Sequence, residues 1–361
     1  MPITANDKLL IHLPAPAPDG WLEEVKRRFP QLTVRWEVTH VVGADVINAD
    51  ALSADAWDGV TMLCLYPPPS SSNMKNVHFV QLGSAGSDRW LKHDRYLDPN
   101  VVFCSGSGCH APQIAEWVVG AWLSHQHHFQ TYTEQQQSQI WKPRVADKPV
   151  TDSVRRRVGI LGYGAIGRQI ARLTQALGMD VYAYTFRPRE TPESRRHEGF
   201  CVPGTGDQEG AIPKRWFSGP AGPAIDDFLS QDLDMLVVSL PLNPSTRGLI
   251  GRREFELLGR RRGKTFVCNI ARGPIVDTDA LSDALREGLI SGAAVDVTDP
   301  EPLPVGHPLW TAPNAFITPH ISWQSKTVIE RVASILLDNL ENYHKGEPLL
   351  NVVDRSRSIA P

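Results

Sequence analysis

Residues 158–167 constrain this chain more than any other stretch. They read V-G-I-L-G-Y-G-A-I-G, a short apolar run that meets three glycines at G-x-G-x-x-G spacing. Residues 166–177 then carry apolar side chains at the period of a helix, which Gly178 would end in the left-handed conformation. A second apolar run follows at residues 181–184. This order predicts a β-α-β unit with parallel strands.

The three glycines, Gly162, Gly164 and Gly167, each have a physical role in such a turn. The first permits the tight turn, the second lets a pyrophosphate approach the backbone, and the third lets the helix pack closely on the strand. The helix N-terminus would present free N–H groups and the positive end of its dipole to the phosphates. We therefore predict a dinucleotide site here. The alternative is a βα turn with a purely structural role.

Length and charge narrow the function further. A chain of 361 residues is too long for one ordinary core, so we expect two domains. A net charge of −3 provides no basic surface for nucleic acid or for an anionic membrane. No apolar run approaches the length that crosses a bilayer. We expect neither nucleic acid nor membrane as a partner.

The cysteine pattern indicates a reducing compartment. The five cysteines are odd in number and include no C-x-x-C pair. The N-terminus lacks a basic segment followed by an apolar core, so it does not resemble a signal peptide. We expect the cytoplasm. We also predict no metal site, because His125, His127 and His128 have no cysteine or carboxylate at ligand spacing.

Three polar residues each come shortly after a predicted strand. They are Arg272, Glu301 and His320. In an open α/β sheet, ligands bind at the C-terminal ends of the parallel strands, so we expect the three side chains at one edge. The strands that precede them are the apolar runs at residues 264–270, 292–297 and 315–318.

Four segments resemble the signatures of the D-isomer-specific 2-hydroxyacid dehydrogenases. The likeness extends from about Val77 to Val353, and the first 70 residues match only in pattern. The segments are LPLNPSTRG at 240–248, NIARG at 269–273, DVTDPEPL at 296–303 and TPH at 318–320.

The resemblance implies an α/β protein with a Rossmann-type, doubly wound parallel sheet in residues 112–322. It also implies a second, smaller, flavodoxin-like α/β domain that binds substrate and is discontinuous in sequence. That domain would consist of residues 1–111 and a C-terminal helix and tail at 323–361. Residues 125–150 resemble the arm through which members of the family dimerise, and we expect a homodimer that forms through residues 112–150.

Residues 187–224 are rich in glycine, proline and charge. We interpret them as a long surface excursion between strands. Within them, residues 197–224 exceed the length found in shorter family members, and no function is assigned to them.

The chemistry implied by the resemblance is the reversible reduction of a 2-oxo acid to a D-2-hydroxy acid. Hydride must reach C2, and a proton must reach the carbonyl oxygen. His320 would donate the proton, since a positioned imidazolium is a natural acid near neutral pH, and Glu301 would orient it and favour its charged form. Arg272 would bind the substrate carboxylate and carbonyl oxygen through its planar fork. The alternatives are a core histidine, a surface glutamate and a structural arginine.

The resemblance implies further contacts with substrate and cofactor. Backbone amides of Ser84, Ala85 and Gly86 would hold the substrate carboxylate, and Asp296 matches a position near the nicotinamide carboxamide. The other residues expected at the cofactor, together with Arg272 and His320, are Gly162, Tyr163, Gly164, Ala165, Ile166, Gly167, Leu240, Pro241, Ile270 and Ala271.

The end of the second strand indicates which cofactor binds. An acidic residue there would accept hydrogen bonds from the ribose 2′-OH of NADH, and none of residues 184–189 is acidic. Thr185 stands at that position, and Arg187 and Arg189 can pair with a 2′-phosphate. The segment resembles that of NADPH-using glyoxylate and hydroxypyruvate reductases. We expect NADPH/NADP⁺, with NADH possible; the alternative is that both arginines face water.

Trp323, three residues after His320, suggests how the substrate is chosen. Its indole would close over C3 and favour apolar substrate tails; the alternative is a packing role between domains. The corepressor branch of the family has a tryptophan at this spacing. That branch, the C-terminal-binding corepressors, works chiefly through partner binding. A cofactor-sensing interaction protein is therefore the second hypothesis, although all three expected catalytic residues are present.

Overall fold

The computed structural model describes residues 2–39, 41–42, 45–46, 48–143, 149–260 and 264–355. The chain divides into two units. The first contains the described residues of 1–110, 198–203 and 324–361, and the second those of 111–197 and 204–323. Residues 144–148 of the expected dimer arm and 356–361 of the expected tail lie outside the described residues.

The elements alternate between strands and helices. The strands are β1 (Lys8–Leu13), β2 (Thr33–Val38), β3 (Val41–Val42), β4 (Asp45–Val46), β5 (Met62–Leu65), β6 (Phe79–Leu82), β7 (Val102–Cys104), β8 (Arg157–Leu161), β9 (Asp180–Thr185), β10 (Arg215–Ser218), β11 (Met235–Val238), β12 (Phe266–Asn269), β13 (Gly292–Val295) and β14 (Ala315–Ile317). The helices are α1 (Trp21–Arg28), α2 (Asp94–Leu97), α3 (Ala111–Gln126), α4 (Phe129–Gln137), α5 (Ala165–Ala176), α6 (Pro192–Arg195), α7 (Pro223–Leu229), α8 (Arg252–Gly259), α9 (Thr278–Arg286) and α10 (Val328–Lys345).

The first unit is built on a parallel sheet in the order β2-β1-β5-β6-β7. The C-terminal helix α10 belongs to this unit and buries Val332, Leu336 and Leu340 in the same apolar cluster as Leu9 of β1. Burying each such side chain contributes about 1.5–3 kcal/mol. The helix ends at Gly346 in the left-handed conformation, which satisfies its last carbonyl groups.

The second unit contains a longer parallel sheet in the order β10-β9-β8-β11-β12-β13-β14. Strands β11, β12 and β13 are buried along their whole length, as expected where helices cover both faces. The order reverses between β8 and β11, so the glycine turn after β8 lies at the switch point of the sheet. The predicted fold, a doubly wound Rossmann-type sheet with a second α/β unit, is confirmed.

The prediction of a plain surface excursion at residues 187–224 is wrong in part. Residues 215–218 form β10, which pairs with β9 and extends the sheet. Residues 198–203 belong to the first unit, where the backbone amide of Phe200 donates to Oδ1 of Asn351. Asp207 is 7% exposed. The strand lacked a clear signal because it is short and lies between glycine- and proline-rich stretches.

In the described part of the chain, no helix is both long enough and apolar enough to cross a membrane.

The carboxylate of Asp7 links the starts of three strands in the first unit. It accepts hydrogen bonds from the backbone amide of Thr4 (2.8 Å), Oγ1 of Thr61 (3.0 Å) and Nε2 of His78 (3.1 Å). The other ring nitrogen of His78 lies 3.1 Å from the hydroxyl of Tyr343. Burial raises the pKa of the Asp7 carboxyl, but the hydrogen bonds outweigh burial and hold that pKa below its ordinary value of 3.8.

We expect Asp7→Asn to lower the free energy of unfolding by about 1–3 kcal/mol near pH 7. Because the pKa of Asp7 is lower in the folded chain, its contribution is complete above the unfolded pKa and is lost as the pH falls through the folded one. Urea unfolding should therefore show the difference from wild type shrinking below about pH 4. Asp19→Asn, at an exposed loop position, is the control, and a difference that stays constant at all pH values would contradict this role.

Candidate active site

The glycine turn after β8 has the geometry of a pyrophosphate cradle. Gly162 has φ = +109°, and a Cβ there would lie 2.7 Å from the carbonyl oxygen of Ser239. A Cβ on Gly164 would meet no atom within 4 Å, so open space lies beside that residue. No described residue accepts a hydrogen bond from the backbone amides of residues 163–166. Free amides beside open space at a helix N-terminus fit the phosphates of a dinucleotide.

Two further predicted cofactor segments lie at the same edge of the sheet. Leu240 and Pro241 follow β11, the neighbour of β8, and Oγ of Ser239 donates to the carbonyl of Gly162 at 2.6 Å. Ile270 and Ala271 follow β12, and the amide of Ala271 donates to Oδ1 of Asn269 at 3.1 Å. The parallel sheet brings the 240–241 segment next to the glycine turn and the 270–271 segment one strand further along the same edge.

Arg272, Glu301 and His320 follow β12, β13 and β14, which are adjacent strands. Nδ1 of His320 lies 2.7 Å from Oε1 of Glu301, with the two side chains 33% and 40% exposed. Because the Glu301 carboxylate accepts a hydrogen bond from Nδ1, Nε2 is the ring nitrogen that can exchange a proton with a ligand. His320 has φ = +55°, a strained conformation for a side chain of this size.

Asp296 holds the loop that carries His320. Its two carboxylate oxygens accept four hydrogen bonds, and its carbonyl accepts a fifth from the amide of His320 at 2.8 Å. The four donors are Oγ1 of Thr318 (2.6 Å), the amide of Ile321 (2.8 Å), the amide of Ser322 (3.0 Å) and Oγ of Ser322 (2.6 Å). Asp296 is 2% exposed. The predicted contact of Asp296 with the nicotinamide stays a prediction. The contacts in the structure position the His320 loop, and no sequence pattern predicts them.

A close backbone approach places Arg272. A Cβ on Gly273 would lie 1.8 Å from the carbonyl oxygen of Thr298, so only glycine lets this turn pack against the loop that leads to Glu301. Nη1 of Arg272 donates to the carbonyl of Ala271 at 2.7 Å. A guanidinium carries five N–H donors in a planar fork, the geometry that matches a carboxylate.

The loop predicted to bind the substrate carboxylate, residues 84–86, lies in the first unit, after β6. Oγ of Ser84 donates to the carbonyl of Gly86 at 2.7 Å, and the carbonyl of Ser84 accepts from the amide of Gly106 at 2.8 Å. The amides of Ser84, Ala85 and Gly86 donate to no acceptor within the described ranges. Successive unpaired amides on a fixed loop suit an anion.

The residues predicted to choose the cofactor lie at the end of β9. Oγ1 of Thr185 donates to the carbonyl of Arg187 at 2.7 Å. Arg187 is exposed and has no ion pair or side-chain hydrogen bond to another described residue. Arg189 is partly buried, and its Nη1 donates to the carbonyl of Ser194. Arg187 is thus the more available of the two arginines.

Trp323 packs within the second unit. Its Nε1 donates to the carbonyl of His320 at 2.8 Å, its carbonyl accepts from Nε2 of Gln113 at 2.7 Å, and the ring lies against a buried apolar cluster. These contacts favour a bracing role for the His320 loop, and the predicted contact with substrate stays a prediction.

Two of the three histidines considered as metal ligands contact other side chains. Nε2 of His125 lies 3.2 Å from Oγ of Ser291, and His127 stacks on Phe129. No group of three or more His, Cys, Asp or Glu side chains able to hold a metal ion occurs among the described residues.

Comparison with known proteins gives a family match. The NAD binding domain of the D-isomer specific 2-hydroxyacid dehydrogenases matches residues 119–201 and 222–322. The matched ranges contain the glycine turn and all three of Arg272, Glu301 and His320.

Relatives extend the likeness over more of the chain. An uncharacterized protein in the proB 3′ region of Corynebacterium melassecola is 30% identical over 280 residues, 78% of this chain and 83% of that protein. A glycerate dehydrogenase of Methylorubrum extorquens is 33% identical over 210 residues, 58% of this chain and 56% of that protein. The crystal structure of a D-isomer specific 2-hydroxyacid dehydrogenase from Xanthobacter autotrophicus Py2 with NADPH and MES has a TM-score of 0.72 and 27% identity, covering 97% of this chain and 99% of that one.

We expect Asp296→Asn to loosen the His320 loop, because an amide replaces one acceptor oxygen by a donor and leaves a buried donor without its partner. The free energy of unfolding should fall by about 1–3 kcal/mol. Hydrogen exchange of the amides of Ile321 and Ser322 should accelerate. Asp299→Asn, an exposed position on the neighbouring loop, is the control. Unchanged exchange at both amides would show that Asp296 does not hold this loop.

Proposed function

Because the chain belongs to the D-isomer specific 2-hydroxyacid dehydrogenase family, we propose that it reduces a 2-oxo acid to a D-2-hydroxy acid with NADPH. One observation carries the proposal. Nδ1 of His320 lies 2.7 Å from Oε1 of Glu301, and Arg272, Glu301 and His320 follow three successive strands of the sheet, β12, β13 and β14. A fixed imidazole, a carboxylate and a guanidinium at the ligand edge of a dinucleotide sheet suit hydride reduction of a carbonyl.

A bound NADPH would supply the hydride to C2 of the substrate. His320 donates the proton from Nε2 to the carbonyl oxygen as the C–H bond forms, so the carbonyl becomes a hydroxyl and the imidazole is left neutral. Glu301 accepts from Nδ1, which fixes the orientation of the ring. In the reverse direction the neutral imidazole accepts the hydroxyl proton.

Arg272 in the second unit and the 84–86 loop in the first unit each offer donors that suit a substrate carboxylate. The guanidinium pairs with the carboxylate and polarises the neighbouring carbonyl. The unpaired amides of Ser84, Ala85 and Gly86 bind carboxylate oxygens. Arg272 at the carboxylate and His320 at the carbonyl oxygen would hold the substrate so that one face of C2 receives the hydride, and the family resemblance implies the D configuration of the product.

The residues at the end of β9 support NADPH as the preferred cofactor. No acid stands at the position of Thr185 to repel a phosphate, and Arg187 is exposed beside it. The relative from Xanthobacter was crystallised with NADPH, which agrees with this choice. NADH would bind more weakly, since its 2′-hydroxyl offers no charge to Arg187.

The arm at residues 112–150 supports a homodimer. Helix α4 has no buried residue, and Trp141 is 97% exposed, with Phe129 and Ile140 each 54% exposed. Apolar side chains exposed along one segment favour association with a second copy. On this basis we propose a homodimer. The cytoplasm is the proposed compartment, because the five cysteines are odd in number and include no C-x-x-C pair.

Turnover of NADPH with a panel of 2-oxo acids tests the proposal, and His320→Ala and Arg272→Ala test the residues. Each variant should cut reduction by several orders of magnitude, since general acid catalysis contributes roughly 10²–10⁴-fold. The dissociation constant for NADPH should change little. The panel should run from glyoxylate to acids with aliphatic and aromatic tails, because Trp323 is the candidate contact for the tail.

Arg252→Ala is the control, because Arg252 pairs on the surface with Glu256 and Glu287. It should leave turnover within about twofold, as expected for an exposed pair. Near-normal turnover in His320→Ala would remove His320 from the mechanism. NADPH binding without turnover of any 2-oxo acid would instead favour a cofactor-sensing interaction protein.

We expect wild type to prefer NADPH over NADH in kcat/KM, and Thr185→Asp with Arg187→Ala to reverse the preference. A lost charge-assisted contact with the 2′-phosphate is worth about 1.5–3 kcal/mol, so the change should exceed about tenfold. Arg189→Ala should change the preference less, since Arg189 already donates to Ser194. Equal kcat/KM for both cofactors in wild type would rule out this assignment.

A further inference from the structure

Tyr163 is the side chain that can anchor the glycine turn. Its neighbours Gly162 and Gly164 have none, so the turn at the proposed pyrophosphate site has little else to fix it. Tyr163 is 4% exposed, and it points away from open space into the second unit. The sequence motif places Tyr163 in the turn. It does not reveal the hydrogen-bond partner of Tyr163, which lies 44 positions further along the chain.

The partner of Tyr163 is Asp207. The phenol hydroxyl donates to Oδ2 of Asp207 at 2.7 Å. The ring packs edge-on against Trp216 of β10, with centroids 5.0 Å apart, and the guanidinium of Arg168 lies 5.0 Å from the ring centroid. One end of the residue is thus held by a charge-assisted hydrogen bond and the ring by two flanking side chains.

Asp207 is itself held rigidly by its own loop, residues 204–212. Oδ1 accepts from the amide of Ala211 at 3.0 Å, and Oδ2 accepts from the amide of Ile212 at 3.2 Å. A loop amide, that of Gly206, donates to Oε1 of Gln169 at 2.6 Å. The carboxylate is therefore a fixed acceptor and not a mobile surface group.

Helix α5 contacts the same loop along its first two turns. Arg168, 3% exposed, donates to the carbonyls of Asp207 and Arg195. Arg172 donates to the carbonyl of Gly206 at 3.3 Å. The 204–212 loop therefore contacts both the glycine turn and the helix whose N-terminus would face the phosphates.

We propose that Tyr163 and Asp207 are positioning residues for the cofactor, which hold the glycine turn so that the amides of residues 163–166 point at the pyrophosphate. This rests on the proposed dinucleotide site. It gives residues 204–212, within the long excursion, a role in cofactor affinity.

The physical reason is preorganisation. Free amides bind a pyrophosphate well only if their direction is fixed before binding, because ordering the turn at that moment would weaken association. Burial, and then the Asp207 carboxylate beside it, raises the pKa of the Tyr163 phenol, so the hydroxyl remains a donor at any working pH. A hydrogen bond to a charged acceptor is worth roughly tenfold or more in an equilibrium constant.

Tyr163→Phe is the most specific variant. It removes the hydroxyl but keeps the ring, and it keeps the hydrogen bonds that the amides of Ala211 and Ile212 donate to Asp207. Calorimetric titration should show the dissociation constants of both NADPH and ADP-ribose rising about tenfold. The KM for NADPH should rise in step with its dissociation constant, whereas kcat at saturating NADPH should change much less, because the lost hydroxyl bonds to Asp207. ADP-ribose contains the pyrophosphate without nicotinamide or 2′-phosphate, so an equal effect locates the loss at the turn.

Two comparisons separate this role from general destabilisation. Glu209→Gln neutralises another carboxylate on the same loop, where it pairs with Arg196 on the surface, and should leave both dissociation constants unchanged. Asp207→Asn added to Tyr163→Phe should weaken binding less than Asp207→Asn does in wild type, because the shared hydrogen bond is already absent.

The possible results distinguish failure of this inference from failure of the proposed function. Dissociation constants within about twofold of wild type in Tyr163→Phe, or a loss for NADPH that ADP-ribose does not share, would overturn the inference. If Tyr163→Phe does not fold, hydrogen exchange of wild type decides the question. Added ADP-ribose should then slow exchange in residues 204–212 as well as in 158–170, and an unaffected 204–212 loop would overturn it. Wild type that binds no nicotinamide dinucleotide would instead refute the proposed function.

Discussion

The buried carboxylate of Asp296 is the constraint on which the candidate active site depends. Four hydrogen bonds from residues 318–322 end on its two oxygens, and its carbonyl holds the amide of His320. A buried carboxylate with every acceptor position used is expensive to disturb, because any shift leaves a charge or a donor unpaired. The loop can therefore hold His320 at positive φ, in the position where its Nδ1 meets Glu301.

A similar arrangement restrains the glycine turn at the same edge of the sheet. The glycine turn is free of side chains where a pyrophosphate would approach, and it is restrained from behind through Tyr163, Asp207 and Arg168. At both places a rigid, buried carboxylate orients a loop that carries functional groups at its surface. The groups that would contact ligand thus remain available, because the restraint comes from side chains pointing the other way.

Much of this organisation is readable from the sequence because it depends on local spacing. The period of the apolar residues and the glycine spacing predict β8, α5 and β9, and the polar residues after the last strands predict which side chains share an edge. Parallel strands make that inference sound, since their C-terminal ends lie together whatever the details of packing. Strand β10 escaped prediction because its short run R-W-F-S becomes a strand only by pairing with the free edge of β9.

What the sequence by itself determined is the class of fold, the position of the dinucleotide turn and the residue types at the ligand edge. The dinucleotide turn follows from a pattern within about thirty residues, where backbone geometry and hydrophobic period act directly, whereas the doubly wound class of fold and the roles at the ligand edge were implied by the family resemblance. Only the tertiary structure decided that Asp296 holds the His320 loop, that Trp323 packs beneath it and that Asp207 meets Tyr163. Two of these contacts join residues that are distant along the chain, and the third, between Trp323 and His320, depends on how the loop folds. A side-chain hydrogen bond of this kind has no period and no fixed spacing, so only folding reveals it.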